Sequence, residues 1–256
     1  MRPTADFFDA AAGEVYRASA PGRLDVMGGV ADYSGALLLQ LPIAERTRVA
    51  LQRCGGEAVT LHSTHDGGSS ATVPLGLLRE AVVGGGGRGP AAYAGFRQNL
   101  RAAGAPAWTA YVLGCLVRAA ERGLVPLEGV RVHVDSDVPA GQGLSSSAAL
   151  EVATWRVLAT AYGLTLGGVE LARLAQSVEN DLVGAPCGLM DQLASHLGVP
   201  GALLPLRCAP RVEVGAPLAL PLGLRFERHA SGAVHEVGGD AHGRARCAAF
   251  MGLRVL

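Results

Sequence analysis

Residues 137–153, "DVPAGQGLSSSAALEVA", join two different periodicities. Before them, Val130, Val132 and Val134 alternate with Arg131, His133 and Asp135, as in a half-buried strand. After them, an alanine-rich run predicts a helix over about 145–162. A strand, a glycine turn and a helix start together make an anion site. The first amides of a helix lack internal partners and carry the positive end of its dipole. Gly141 and Gly143 let the backbone approach a phosphate oxygen with no Cβ in the way. Ser145, Ser146 and Ser147 offer three hydroxyls where one suffices for a cap. The surplus suits phosphate and a Mg²⁺ ligand. The same letters also read as a flexible turn with an ordinary cap, and this loop alone leaves both readings open.

Working outward, "VYRASA" (15–20) reads as a short strand broken at Pro21-Gly22, and 36–51 supplies further strand material. The glycine-rich stretches 66–70 and 84–89 read as surface loops. Helical spacing predicts helices over 110–122 and 168–182 and a third from near Gly188. Beyond Pro200, "GALLPL" and "GLRFERHAS" return to strand-like pattern, which sets an N-terminal domain at 1–200 and a second at 201–256. The closing "GRARCAAFMGLRVL" reads as a helix still in progress, so the second domain is expected to be incomplete.

Lys+Arg 22 against Asp+Glu 22 gives no net charge, so no broad basic surface points to nucleic acid or an acidic membrane. No apolar run approaches the ~20 residues of a membrane span. Asp6, Asp9 and Glu14 stand where a signal peptide needs apolar residues. Five scattered cysteines, none in C-x-x-C spacing, argue against a disulfide framework or zinc site and for a reducing cytoplasm. The expectation is a soluble cytoplasmic protein. The chain contains no lysine, which removes a P-loop lysine, a kinase-type strand lysine and a Schiff base. Phosphate chemistry then falls to backbone amides, hydroxyls, arginine and metal.

Two further segments concentrate polar residues at the ends of elements. "APGRLDVMGGVADYSG" (20–35) places Arg23, Asp25 and Asp32 among four glycines. "ENDLVGAPCGLMDQLAS" (179–195) places Glu179 near a helix end and Asp191 at the start of the next, after a Pro-Cys-Gly turn. Each has a plain structural reading as well: Asp191 as an N-cap, and Arg23 with Asp32 as an ordinary surface pair.

Together, in order across about residues 16 to 250, these segments resemble the GHMP family of small-molecule kinases and its galactokinase branch. "PGRLDVMGGVADYSG" is similar to the family's sugar-binding motif, "PAGQGLSSSAALEVA" to its ATP-phosphate motif, and "PCGLMDQ" to the segment with the catalytic aspartate. "WTAYVLG" (108–114) is similar to the piece whose aromatics line the adenine pocket. The resemblance implies an α+β, two-domain GHMP kinase-like fold, with a ribosomal protein S5 domain 2-like N-terminal domain and a partial ferredoxin-like C-terminal domain. It implies ATP and Mg²⁺ as cofactors and a small-molecule sugar as substrate, with no nucleic acid or membrane partner; oligomeric state stays open. Asp191 would receive the sugar's anomeric hydroxyl, with Arg23 beside it. The loop of Gly141, Gly143, Leu144, Ser145, Ser146 and Ser147 would cradle the ATP phosphates. Ser146 and Glu179 would hold Mg²⁺, Trp108 and Tyr111 would line the adenine site, and Asp32 and Tyr33 would lie on the sugar.

The first motif departs from the galactokinases, which carry an acidic residue and a histidine where this chain has Gly29 and Val30. In that branch the pair holds the C6 hydroxyl of galactose. A site that reads a hydroxyl through dedicated partners discriminates by roughly 10⁴–10⁵ against analogues lacking it, and this chain has no such reader there. The expected acceptor keeps galactose-like ring stereochemistry without C6, as L-arabinose does, and "GRLDVMGGVADYSG" resembles the L-arabinokinases. Phosphorylation of galactose or another galactose-like sugar, and a non-catalytic sugar or ATP sensor or truncated inactive remnant, are the alternatives. The family's third, glycine-rich motif has no counterpart after Ser231, and His242 stands where galactokinases carry a tyrosine near the sugar.

Overall fold

The structure, a computed structural model, describes residues 7–65, 68–85, 89–229 and 240–255, with side chains of the last helix described over 243–252. Two long strands, β1 (Val15–Met27) and β2 (Leu38–Arg53), pair antiparallel along most of their length. The opposite edge of β2 is shared. Thr47–Arg53 pairs with β5 (Val130–Ser136), and Leu38–Gln40 pairs with β6 (Ala202–Arg207). Beyond β5 lie β3 (Ala58–Ser63), parallel to it, and β4 (Ser69–Pro74), antiparallel to β3. A parallel pair needs a long crossover, and here β4, α1 (Leu75–Gly84), α2 (Ala94–Ala102) and α3 (Thr109–Glu121) supply it. Two short strands, β7 (Glu213–Val214) and β8 (Leu218–Ala219), pair with β6.

Helices α4 (Ser146–Tyr162) and α5 (Gly168–Ser177) join α3 against one face of this sheet. The alternation read along β5 sends Val130, Val132 and Val134 into that core with Val49, Leu51, Val59 and Leu61. The other face of β5 is covered at His133, which is stacked on His62 and flanked by Phe7. Helix α4 is buried nearly all round, which explains its poor amphipathic pattern. Its Trp155 is fully enclosed, and truncation of such a side chain costs about 3–5 kcal/mol. A smaller apolar cluster of Leu38, Leu193, Leu204 and Leu206 ties α6 (Met190–Leu197) to the β2–β6 pair. The final helix, α7 (Asp240–Val255), packs on a 3-10 turn over Gly29–Ser34: Phe250 lies 5.4 Å from the Tyr33 ring and Arg246 5.2 Å above it.

Several expectations need correction. The first strand does not break at Pro21-Gly22 but runs to Met27, because the proline falls at a register shift where its missing N–H costs no ladder bond. The helix expected over 168–182 ends at Ser177 and passes into a π turn, Val178–Val183. Ser69 and Ser70, expected in a loop, belong to β4. Gly223–His229 forms no strand, and its Leu224 and Phe226 stay exposed. Residues 66–67, 86–88 and 230–239, and the His242 side chain, lie outside the described residues. Among the described residues, no helix is long and apolar enough to cross a membrane.

Candidate active site

The loop between β5 and α4 carries its glycines in left-handed backbone, Gly141 at φ 68° and Gly143 at φ 69°. Ser145, at φ 57°, is the one non-glycine residue with positive φ among the described residues, a conformation that costs energy and is held where the surroundings demand it. It occupies the N-cap position of α4, yet its hydroxyl makes no cap. Instead the Oγ donates to Asp191 Oδ2. No side chain caps α4, so the expectation that one of these serines caps the helix is not met. The first amides of a helix lack internal partners, so with no side-chain cap those of α4 remain available to a ligand. Leu144 buries its side chain with Val138 and Ala149, and its carbonyl accepts a 3.1 Å bond from the Arg23 amide. Gly22 makes this approach possible, since a Cβ there would lie 2.7 Å from the Leu144 oxygen.

Strand β1 delivers Arg23 and α6 delivers Asp191 to the same point. Arg23 Nε and Nη2 both donate to Asp191 Oδ1, at 2.9 and 2.6 Å, and Nη1 donates to the Gly143 carbonyl at 2.6 Å. The guanidinium is 9% exposed and the carboxylate 26% exposed. One arginine thus clamps the glycine–serine loop and one oxygen of Asp191, while Ser145 holds the other. Neither plain reading of these residues survives. The N-cap of α6 is Leu189, and Asp191 lies inside its first turn. Arg23 pairs with Asp191 rather than Asp32.

Asp32 lies 6% exposed in the 3-10 turn. Burial, and then the Asp191 charge, push its carboxyl up to about 6, against the pull of the Met190 and Tyr33 amides that donate to it. Gly188 is what admits it: a Cβ there would collide with Asp32 Oδ2. Glu179, on the π turn, is 2% exposed, and burial followed by the Asp191 charge raises it to about 7. Ser147 bonds to it, and Gln192 Nε2 donates to it at 2.9 Å and to Glu151 at 3.3 Å. Glu151 is fully buried, and desolvation, then the Glu179 charge, push its carboxyl well up. Glu151, Gln192 and Gly188 were not assigned from sequence. The detectable signal for Glu151 was a glutamate inside the otherwise apolar run "AALEVA".

Two cavities meet at the serines. One, about 320 Å³, is lined mainly by apolar groups, with Trp108, Tyr111, Val134, Val138 and Leu150 in its wall. The Trp108 indole is fixed by a 2.8 Å bond to Ser69 Oγ. The other, about 460 Å³, is the more polar of the two and takes in Arg23, Asp25, Gly29, Val30, Asp32, Tyr33, Glu179 and Asp191. Tyr111, Ser146 and Ser147 belong to both walls. Every site residue read from the sequence lines one cavity or the other. Arg228, which sequence did not single out, reaches the loop from the 224–229 segment and donates to Gln142 at 3.3 Å. Among the described residues no set of three His, Cys, Asp or Glu side chains forms a metal cage. The hydroxyls and the Glu179 carboxyl offer hard oxygens, which suit a cation that takes most of its ligands from phosphate and water. A cation there would also relieve the crowding of Glu179 by the Asp191 charge.

Comparison with known proteins adds a family match and similar folds. The GHMP kinases N terminal domain matches residues 110–199. The L-arabinokinase of Arabidopsis thaliana is 39% identical over 263 residues, covering 95% of this chain and 25% of the relative. The galactokinase of Chloroflexus aggregans is 31% identical over 239 residues, covering 93% of this chain and 55% of the relative. The chain therefore spans between a quarter and just over half the length of these relatives. The crystal structure of Lactococcus lactis galactokinase complexed with galactose shares the fold at TM-score 0.63 and 24% identity, over 82% of this chain and 48% of that one. With the α+β fold and the glycine–serine loop in place, residues 110–199 carry a GHMP kinases N terminal domain, and the chain as a whole is similar to L-arabinokinase and galactokinases.

Proposed function

We propose that this chain is the site-bearing part of an ATP-dependent sugar 1-kinase that phosphorylates the anomeric hydroxyl of L-arabinose. The observation that carries the reading is the Arg23–Asp191–Ser145 cluster, placed beside serines that an apolar and a polar cavity share. In this reading adenine takes the apolar cavity against Trp108 and Tyr111, and the phosphates lie on the amides of 141–147. The sugar takes the polar cavity, held by Asp32 and flanked by Tyr33. Its anomeric hydroxyl donates to Asp191, which accepts the proton as the oxygen bonds to the γ-phosphorus and the bond to ADP breaks. Arg23 balances charge on Asp191 and on the passing phosphoryl group. Phosphoryl transfer asks mainly for positioning and charge neutralisation, which arginine and amides supply without lysine. Mg²⁺, held by Ser146 and Glu179 together with phosphate oxygens, would add neutralisation at those oxygens.

The choice of sugar rests on Gly29 and Val30. Both line the polar cavity and neither side chain can bond a hydroxyl, which suits a pentose without C6. Galactose is the alternative acceptor, favoured by the 31% identical relative. Residues 1–200 and 201–256 are read as the N-terminal domain and part of a second domain, working in the cytoplasm.

ADP release over a small panel of aldoses tests the reading, with the full open reading frame as enzyme. L-arabinose is expected to give the highest kcat/KM, although an apolar wall rejects an added hydroxyl only about 10²-fold. Asp191→Asn is expected to lower kcat by roughly 10²–10⁴-fold as a lost general base. A higher kcat/KM for galactose overturns the sugar assignment, and full turnover by Asp191→Asn overturns the role of Asp191.

A further inference from the structure

Strand β1 places a fourth acid, Asp25, in the polar cavity beside Asp32, Glu179 and Asp191, and the chemistry above does not use it. Side chains two apart on a strand share a face, so Asp25 stands on the same side as Arg23, about 6–7 Å farther along. It lines the cavity next to Gly29 and Val30, and it is exposed there. Its Oδ1 accepts a 2.8 Å bond from Nε2 of Gln40, its register partner on β2. Gln40 is completely buried, and its own Oε1 has no hydrogen-bond partner among the described residues. Burying a half-satisfied amide is unfavourable where an apolar side chain would pack, so the amide is explained by what it holds. Asp25 Oδ2 points over Gly29, where a Cβ would sit 3.5 Å from it. Any longer side chain at position 29 would cover this oxygen, and glycine leaves it open to the cavity.

Resting on the sugar-kinase reading, we infer that Asp25 is a specificity-determining residue. Its Oδ2 accepts a hydrogen bond from a ring hydroxyl of the acceptor, on the side where Gly29 and Val30 offer no polar side chain. Gln40 is its positioning residue. The ligand class is a small polyhydroxylated ring.

The test uses the full chain with L-arabinose, its monodeoxy analogues and ATP. Asp25→Ala is expected to raise KM for L-arabinose roughly ten- to hundredfold, the range for a hydrogen bond to a charged group, with KM for ATP unmoved. Asp25→Asn should fall between, and Gln40→Met should raise KM in the same direction. The decisive readout is the monodeoxy series. The wild type should reject one analogue strongly, and Asp25→Ala should no longer distinguish that analogue from L-arabinose. Equal discrimination by wild type and Asp25→Ala, with or without a general loss of activity or melting temperature, overturns the inference and leaves the kinase reading standing. A wild type that phosphorylates no aldose overturns both.

Discussion

Asp32 shows at the scale of one residue how the site trades stability for a place to bind. Its carboxyl is raised from 3.8 to about 6, so the folded, ligand-free chain holds that proton more tightly than the unfolded chain does. A raised carboxyl contributes stability below its unfolded pKa, and that stability is lost as pH rises through the folded value. The difference amounts to roughly 3 kcal/mol at 1.36 kcal/mol per unit. Asp32→Asn removes the titration. Urea melts should show the variant gaining stability relative to wild type between about pH 4 and pH 7, while its KM for sugar rises. Parallel stability curves across that range would show that Asp32 is not crowded by burial and Asp191. From sequence, Asp32, Asp191 and Arg23 were grouped only through the resemblance of their motifs, and the structure brings all three to the wall of one cavity. Who pairs with whom was not legible. Arg23 and Asp191 stand 168 positions apart, and only the crossing of β1 over the start of α6 brings them together.

At the scale of elements, the strand, loop and helix around residues 130–162 followed from period and composition, since each signal is local. Two features did not. Pro21-Gly22 reads as a strand end, but the partner strand carries the ladder past it through a bulge. The π turn at Val178–Val183 continues the apolar spacing of α5, so nothing local marks the change that aims Glu179 inward. Such turns are rare and concentrate at functional sites. The turn between this segment and α6 also shapes the larger cavity, through Gly188. A Cβ at that position meets the Asp32 carboxylate, so Gly188→Ala is expected to displace Asp32 or tilt α6. Overpacking of this kind costs about 1–3 kcal/mol. A thermal melt together with sugar KM checks it: both should worsen, with KM for ATP nearly constant. A Gly188→Ala variant with unchanged sugar KM would show that the Asp32–α6 contact is not needed for binding.

Across the whole molecule, the sheet supplies both halves of the site. β1 and β2 carry Arg23, Asp25 and Gln40, the β5–α4 junction carries the glycine–serine loop, and α6 seats Asp191 between them. The far end of the chain closes one side, where α7 lays Phe250 and Arg246 on Tyr33. The central claim is that one catalytic carboxylate joins two cavities with separate tasks. The most direct measurement is a crystal structure of the full chain with L-arabinose and a non-hydrolysable ATP analogue. The expected result has phosphates on the amides of residues 141–147, adenine against Trp108, and the anomeric oxygen within hydrogen-bond reach of Asp191. Nucleotide phosphates bound elsewhere, or a sugar whose anomeric oxygen faces away from Asp191 in an active enzyme, would contradict it.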